Sequence, residues 1–190
     1  MEHKKVNAST LAILFLSIAF VVMSVGFAAY AQTLNINGIA TIKKALWKVQ
    51  FQDNSYVESA GSVAASSKSL DATTFTYGVT LKPGEFYEAT VDVENAGTFD
   101  ATLKSITMSN LTDEQKEYVK YTVTYDSTDY TATTENLSND LPAPADESTT
   151  SEKKCKVRVE YYLPEDPSKL PTEADIDLIL TATLNYVQKV

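Results

Sequence analysis

The side chains able to do acid–base, nucleophilic or metal chemistry in this chain are few and scattered. The only histidine, His3, stands ahead of an apolar segment that spans residues 11–31. If that segment is removed, no imidazole remains for general-base catalysis or zinc binding. The single cysteine, Cys155, falls on the apolar parity of an alternating run. A thiol placed there serves as a small buried hydrophobe rather than a nucleophile. One cysteine also excludes an intrachain disulfide. Asp126 with Asp129, and Asp140 with Asp146 and Glu147, offer carboxylate oxygens of the kind calcium takes. Neither group has the spacing of a calcium loop, so both read as solvated acidic loops without metal. The sequence holds no His-Glu-x-x-His motif, no Gly-x-Ser-x-Gly elbow and no phosphate-binding glycine loop. Neither enzymatic activity nor a cofactor is expected.

Weaker signals lead to the same reading. Asn110-Leu111-Thr112 and Asn136-Leu137-Ser138 match the glycosylation acceptor pattern, which is short enough to occur by chance. Leu170-Pro171-Thr172-Glu173 is close to a sortase signal but lacks its glycine, and no apolar tail follows. Trp47 would suit a carbohydrate platform. Its parity with Val49 and Phe51 instead places it in the core.

Composition sets the class of protein. With 44% hydrophobic and 22% charged residues, and only 6 Gly and 6 Pro, the chain is globular rather than disordered. Eleven tyrosines, with frequent Thr and Val, favour strands. A net charge of −9 repels phosphate backbones, so nucleic acid is excluded as a partner.

Lys4 and Lys5 precede the apolar run from Leu11 to Ala31, which is long enough to span a bilayer. It is either a signal peptide or a membrane anchor. Ala29-Tyr30-Ala31 matches the small-x-small pattern before a signal-peptidase cut, which favours cleavage between Ala31 and Gln32. Residues 1–31 are then leader, and 32–190 form one exported domain. Contact with a membrane would run only through residues 11–31.

The organising stretch is Phe75 to Leu103. Phe75, Tyr77, Val79 and Leu81 alternate with small polar residues, as do Tyr87, Ala89, Val91 and Val93. Lys82-Pro83-Gly84-Glu85 is a type II turn, and Asn95-Ala96-Gly97-Thr98 leads to a third run. Joined by short turns, these runs predict an antiparallel meander. A parity flip between Leu103 and Ile106 predicts a bulge near Lys104 or Ser105. Thr112 and Gln115 resemble a capping box. Further strands are expected around Ala45–Phe51, Tyr121–Tyr125, Tyr130, Cys155–Leu163 and Ile176–Tyr186. Residues 53–69 read as a loop, and 134–152 as an exposed, mobile acidic loop. The predicted fold is an all-β, two-sheet antiparallel sandwich, jelly-roll-like, behind an apolar export helix.

Leu34, Ile36, Gly38, Ala40 and Ile42 share one parity in segment 33–43. Cleavage would leave this segment at a free end. Such a strand pairs either with its own sheet or with a neighbouring molecule, by strand addition.

The order of features resembles a family. A leader ending in Gly26-Phe27-Ala28-Ala29-Tyr30-Ala31 runs into Thr33-Leu34-Asn35-Ile36-Asn37-Gly38. A Trp47-containing strand, Leu81-Lys82-Pro83-Gly84-Glu85 and Val93-Glu94-Asn95-Ala96-Gly97 follow, and the chain closes on Leu184-Asn185-Tyr186-Val187-Gln188. This is similar to the TasA/camelysin-type exported proteins of Gram-positive bacteria. The resemblance implies a dedicated signal peptidase during export, an extracellular or cell-surface location, and self-association into biofilm-matrix fibres. Camelysin members are described as metalloproteases, and no histidine beyond the leader is available to carry that activity here. A monomeric surface module that binds a ligand through its loops is the alternative.

Overall fold

The computed structural model describes Ile13 and residues 15–21, 45–146, 149–163, 166, 168 and 175–189. Ile13 and residues 15–21 are helical. Among the described residues no helix is long and apolar enough to cross a membrane. The chain divides into two units, Met1–Ile42 and Lys43–Val190, and the strands belong to the second.

These strands are β1 (Val49–Phe51), β2 (Val57–Glu58), β3 (Ser67–Asp71), β4 (Thr74–Leu81), β5 (Phe86–Asn95) and β6 (Ala101–Met108). There follow β7 (Val119–Tyr125), β8 (Thr128–Tyr130), β9 (Asn139–Leu141), β10 (Ser151–Tyr161) and β11 (Ile176–Gln188). One sheet has the order β1-β5-β10-β7-β8, with β2 also on β5; the other has β3-β4-β11-β6-β9. Every pairing is antiparallel. The all-β sandwich is therefore present, but its connectivity differs from a meander. β4 and β6 lie in one sheet, each beside β11, while β5 lies in the other.

The turns account for the difference. Glu85 N–H donates to the Lys82 carbonyl at 2.9 Å, and Gly84 takes φ +85°, so the type II turn forms as predicted. It carries the chain from one sheet to the other instead of closing a hairpin. Both flanking runs bury their alternating side chains, and folding one over the other brings these faces together. Tyr77 and Tyr87 meet across the turn with ring centroids 4.8 Å apart. Two apolar faces bury each other in this way, whereas a flat hairpin would leave its apolar face without a cover.

The core is unusually rich in tyrosine. Tyr77, Tyr87, Tyr125 and Tyr161 are fully buried beside Phe75, Leu103, Ile106 and Leu184. Hydroxyls pair at 2.9 Å between Tyr56 and Tyr87, and at 2.7 Å from Tyr186 to Tyr125. In these two pairs the rings add area while their polar tips stay bonded, whereas the buried Tyr77 and Tyr121 hydroxyls have no hydrogen-bond partner among the described residues.

Several local predictions hold. The β6–β11 register shifts opposite Asn185/Tyr186, skipping Lys104, and Leu103 and Ile106 are both buried as the parity flip requires. Thr112 and Gln115 cap each other reciprocally, at 2.9 and 3.1 Å. Asp126 and Ser127 both take positive φ, making the two-residue β7–β8 hairpin turn.

Other expectations give way. Segment 53–69 contains β2 and the start of β3, and segment 134–152 contains β9 and the start of β10. The fully buried Leu141 ties β9 to the core. These edge strands are held by backbone bonds along one side and carry little apolar periodicity. Trp47 is 44% exposed, and Leu163 is exposed too, because β1 and β10 stop short of them.

Candidate functional site

Cys155 lies on β10 facing the core, fully buried, and burial pushes its thiol up to about 12. At neutral pH it is a protonated, unreactive hydrophobe. Among the described residues no three His, Cys, Asp or Glu side chains gather as a metal site. The carboxylates of Asp126, Asp129 and Asp140 are engaged by other partners. Asp126 pairs with Lys153, Asp129 accepts from the Thr124 hydroxyl, and Asp140 pairs with Lys189 while accepting from Thr102. The Lys189 hydrogen bond holds the Asp140 carboxyl below its ordinary range. Asn110 and Asn136 are exposed. The leader cut at Ala29, Ala31 and Gln32 lies outside the described residues. So do the segment of Leu34, Ile36, Gly38, Ala40 and Ile42, as well as His3, Glu147 and residues 170–173.

One described feature with room for a partner is the flank of the sandwich beside β7. β5 and β6 are covered on their outer sides by short local strands, which themselves end the sheets. Along β5, β1 and β2 are joined by bonds from Gln52 N to Asp92 O at 2.9 Å and from Val63 N to Phe86 O at 2.9 Å. Along β6, β9 is extended by Leu137 N to Lys104 O and by two bonds between Ile106 and Thr134, each 2.9 Å.

β7 is different. β8 pairs only with Val123–Tyr125, so the stretch from Val119 to Thr122 has no strand on that side. The chain departs because Thr133 and Thr134 cross over to bond Met108 and Ile106 on β6. That switch of sheets opens a groove of about 400 Å³. Met108, Leu111, Val119, Tyr121 and Tyr162 give it apolar walls, with Lys116 and Lys120 beside them. The Tyr162 hydroxyl bonds the Lys116 carbonyl at 3.0 Å, and Lys116 pairs with Asp113 at 2.9 Å. An uncovered strand edge beside apolar pockets can accept an extended segment, with the backbone supplying affinity and the pockets selectivity. Sequence reading missed this groove, because it arises where the chain passes from one sheet to the other rather than from any local motif.

No protein-family model matches this chain, and no curated protein matches it.

Proposed function

We propose that this protein is an exported structural subunit that assembles with copies of itself into fibres or a surface layer. The carrying observation is the uncovered β7 edge from Val119 to Thr122, opening onto an apolar groove. Segment 33–43, whose Leu34, Ile36, Ala40 and Ile42 alternate, is the strand offered to it by a neighbour. The apolar leader and its Ala29-Tyr30-Ala31 pattern support export and processing by a signal peptidase. Kinship with TasA/camelysin-type matrix proteins and a jelly-roll ancestry belong to the same proposal.

Electron microscopy of the purified protein tests it, comparing the chain from Gln32 with one lacking residues 32–43. Fibres from the first and folded monomers from the second are expected. If the shortened protein unfolds, segment 33–43 belongs to its own sheet. If it still polymerises, the contact surface lies elsewhere.

A second reading is a monomeric cell-surface binding module. The two lysines lining the groove favour it, since they would suit an acidic ligand better than an apolar strand. Monomers at every concentration, with the groove saturable by an acidic peptide, would select that reading.

A further inference from the structure

The chain's only tryptophan stands just outside the core. Trp47 is 44% exposed, while Val49 and Phe51 beyond it are buried. It borders a cleft of about 340 Å³ shared with Lys48, Gln50, Thr73 and Tyr186. The cleft has a fixed frame. Phe51 N–H donates to the Ala72 carbonyl at 2.7 Å, tying β1 to the β3–β4 turn. On either side of Trp47, the Leu46 and Lys48 carbonyls accept from Thr98 N at 2.8 Å and Ala96 N at 2.9 Å.

The lining combines ring surface with directed polar groups. Tyr186 lines the cleft, and its hydroxyl is already engaged, donating to Tyr125 at 2.7 Å. Gln50, which also lines the cleft, donates through Nε2 to Glu94 at 2.8 Å, which fixes its amide. The Lys48 ammonium and Thr73 hydroxyl have no side-chain partner among the described residues. A purely apolar ligand would strand these polar groups, and a purely ionic one would leave the rings unused. A sugar ring satisfies both, having a face of C–H groups and a rim of hydroxyls.

We propose that this cleft binds a sugar chain, with one ring stacked on Trp47 and its hydroxyls bonded by Lys48, Gln50 and Thr73. This holds whether or not the protein polymerises.

Because Trp47 is the sole tryptophan, its emission reports directly on the cleft. The purified protein is titrated with cellotetraose, chitotetraose and tetragalacturonate, with calorimetry in parallel. Saturable binding of at least one, with Kd below about 1 mM, is expected. By calorimetry, Trp47→Ala should weaken it by about tenfold or more, while Trp47→Phe, which keeps a ring, should stay within about threefold. Loss in Lys48→Gln confined to tetragalacturonate would assign Lys48 to a sugar carboxylate. Circular dichroism confirms that each variant is folded. No binding of any tetrasaccharide, or equal binding by folded Trp47→Ala, overturns the proposal.

Discussion

Asn95 is buried at 1% exposure, and its side chain is fully engaged. Nδ2 donates to the Phe99 and Leu141 carbonyls at 2.9 and 3.0 Å, and Oδ1 accepts from Gly97 N at 3.0 Å. One residue thus closes the β5–β6 turn and anchors β9. Asn95→Ala would remove these three hydrogen bonds, two of them buried. A loss of about 3 kcal/mol is expected in urea unfolding, well beyond an ordinary polar substitution. Val91, wholly buried on the same strand, is a sharper case. Val91→Asp introduces an unpaired charge and should abolish folding, leaving the circular dichroism of an unfolded chain. Cys155 tests burial by reactivity. A thiol-specific reagent should fail to label it in the native protein, then label it fully in denaturant. Rapid native labelling would show that the core opens around β10.

At the scale of elements, two glycines matter for different reasons. Gly84 takes φ +85° with open space where a Cβ would stand. Gly84→Ala is strained only in its backbone and should cost about 1 kcal/mol. At Gly97 a Cβ would lie 2.6 Å from the Leu46 carbonyl and 2.9 Å from Lys48 N. Both of these closest atoms are backbone, so Gly97→Ala must push the segment before β1 away from the turn. It should lower the melting temperature clearly more than Gly84→Ala and change the Trp47 emission, while Gly84→Ala leaves that emission alone. The reverse ranking would mean that the 45–48 segment is loosely held.

Over the whole molecule, the tyrosine core ties stability to pH. Burial raises Tyr87 and Tyr125 from 10.0 to about 12, and Cys155 from 9.0 to about 12. Tyr56, Tyr77, Tyr121 and Tyr186 are also raised, again mainly by burial. The fold therefore favours the neutral forms. Their contribution is complete below the unfolded value of 9.0 and is lost as pH climbs towards 12. On the acid side, the Ser59 hydroxyl, followed by Arg158 and Lys156, holds Glu88 below its ordinary 4.5. That contribution is present above pH 4.5 and lost as pH falls through the lowered value. Melting temperature should be level between these limits. Tyrosinate absorbance above pH 10 should rise together with loss of near-ultraviolet circular dichroism. Free titration of the buried tyrosines near pH 10 in a still-folded protein would contradict the burial of their hydroxyls.

Local pattern was enough to place most strands and their buried faces. Alternation along residues 75–81, 87–93, 121–125, 155–161 and 178–184 marks the core side chains, since a pleated strand turns every second residue the same way. The turn at Lys82–Glu85, the bulge at Lys104, the Thr112–Gln115 cap and the buried Cys155 were equally legible, each depending on residues close in sequence. Periodicity defines a face but not the strand that lies beside it. Whether the turn after Leu81 closes a hairpin or crosses between sheets was settled by the facing partner, Tyr77 against Tyr87. β3 and β9 were invisible because an edge strand needs backbone bonds on one side and little apolar pattern. Trp47 shares the parity of Val49 and Phe51 yet is half exposed, since it stands before the start of β1. The β7 groove and the Trp47 cleft belong to tertiary structure alone: each is lined by residues more than twenty positions apart, which only the stacking of two sheets brings together.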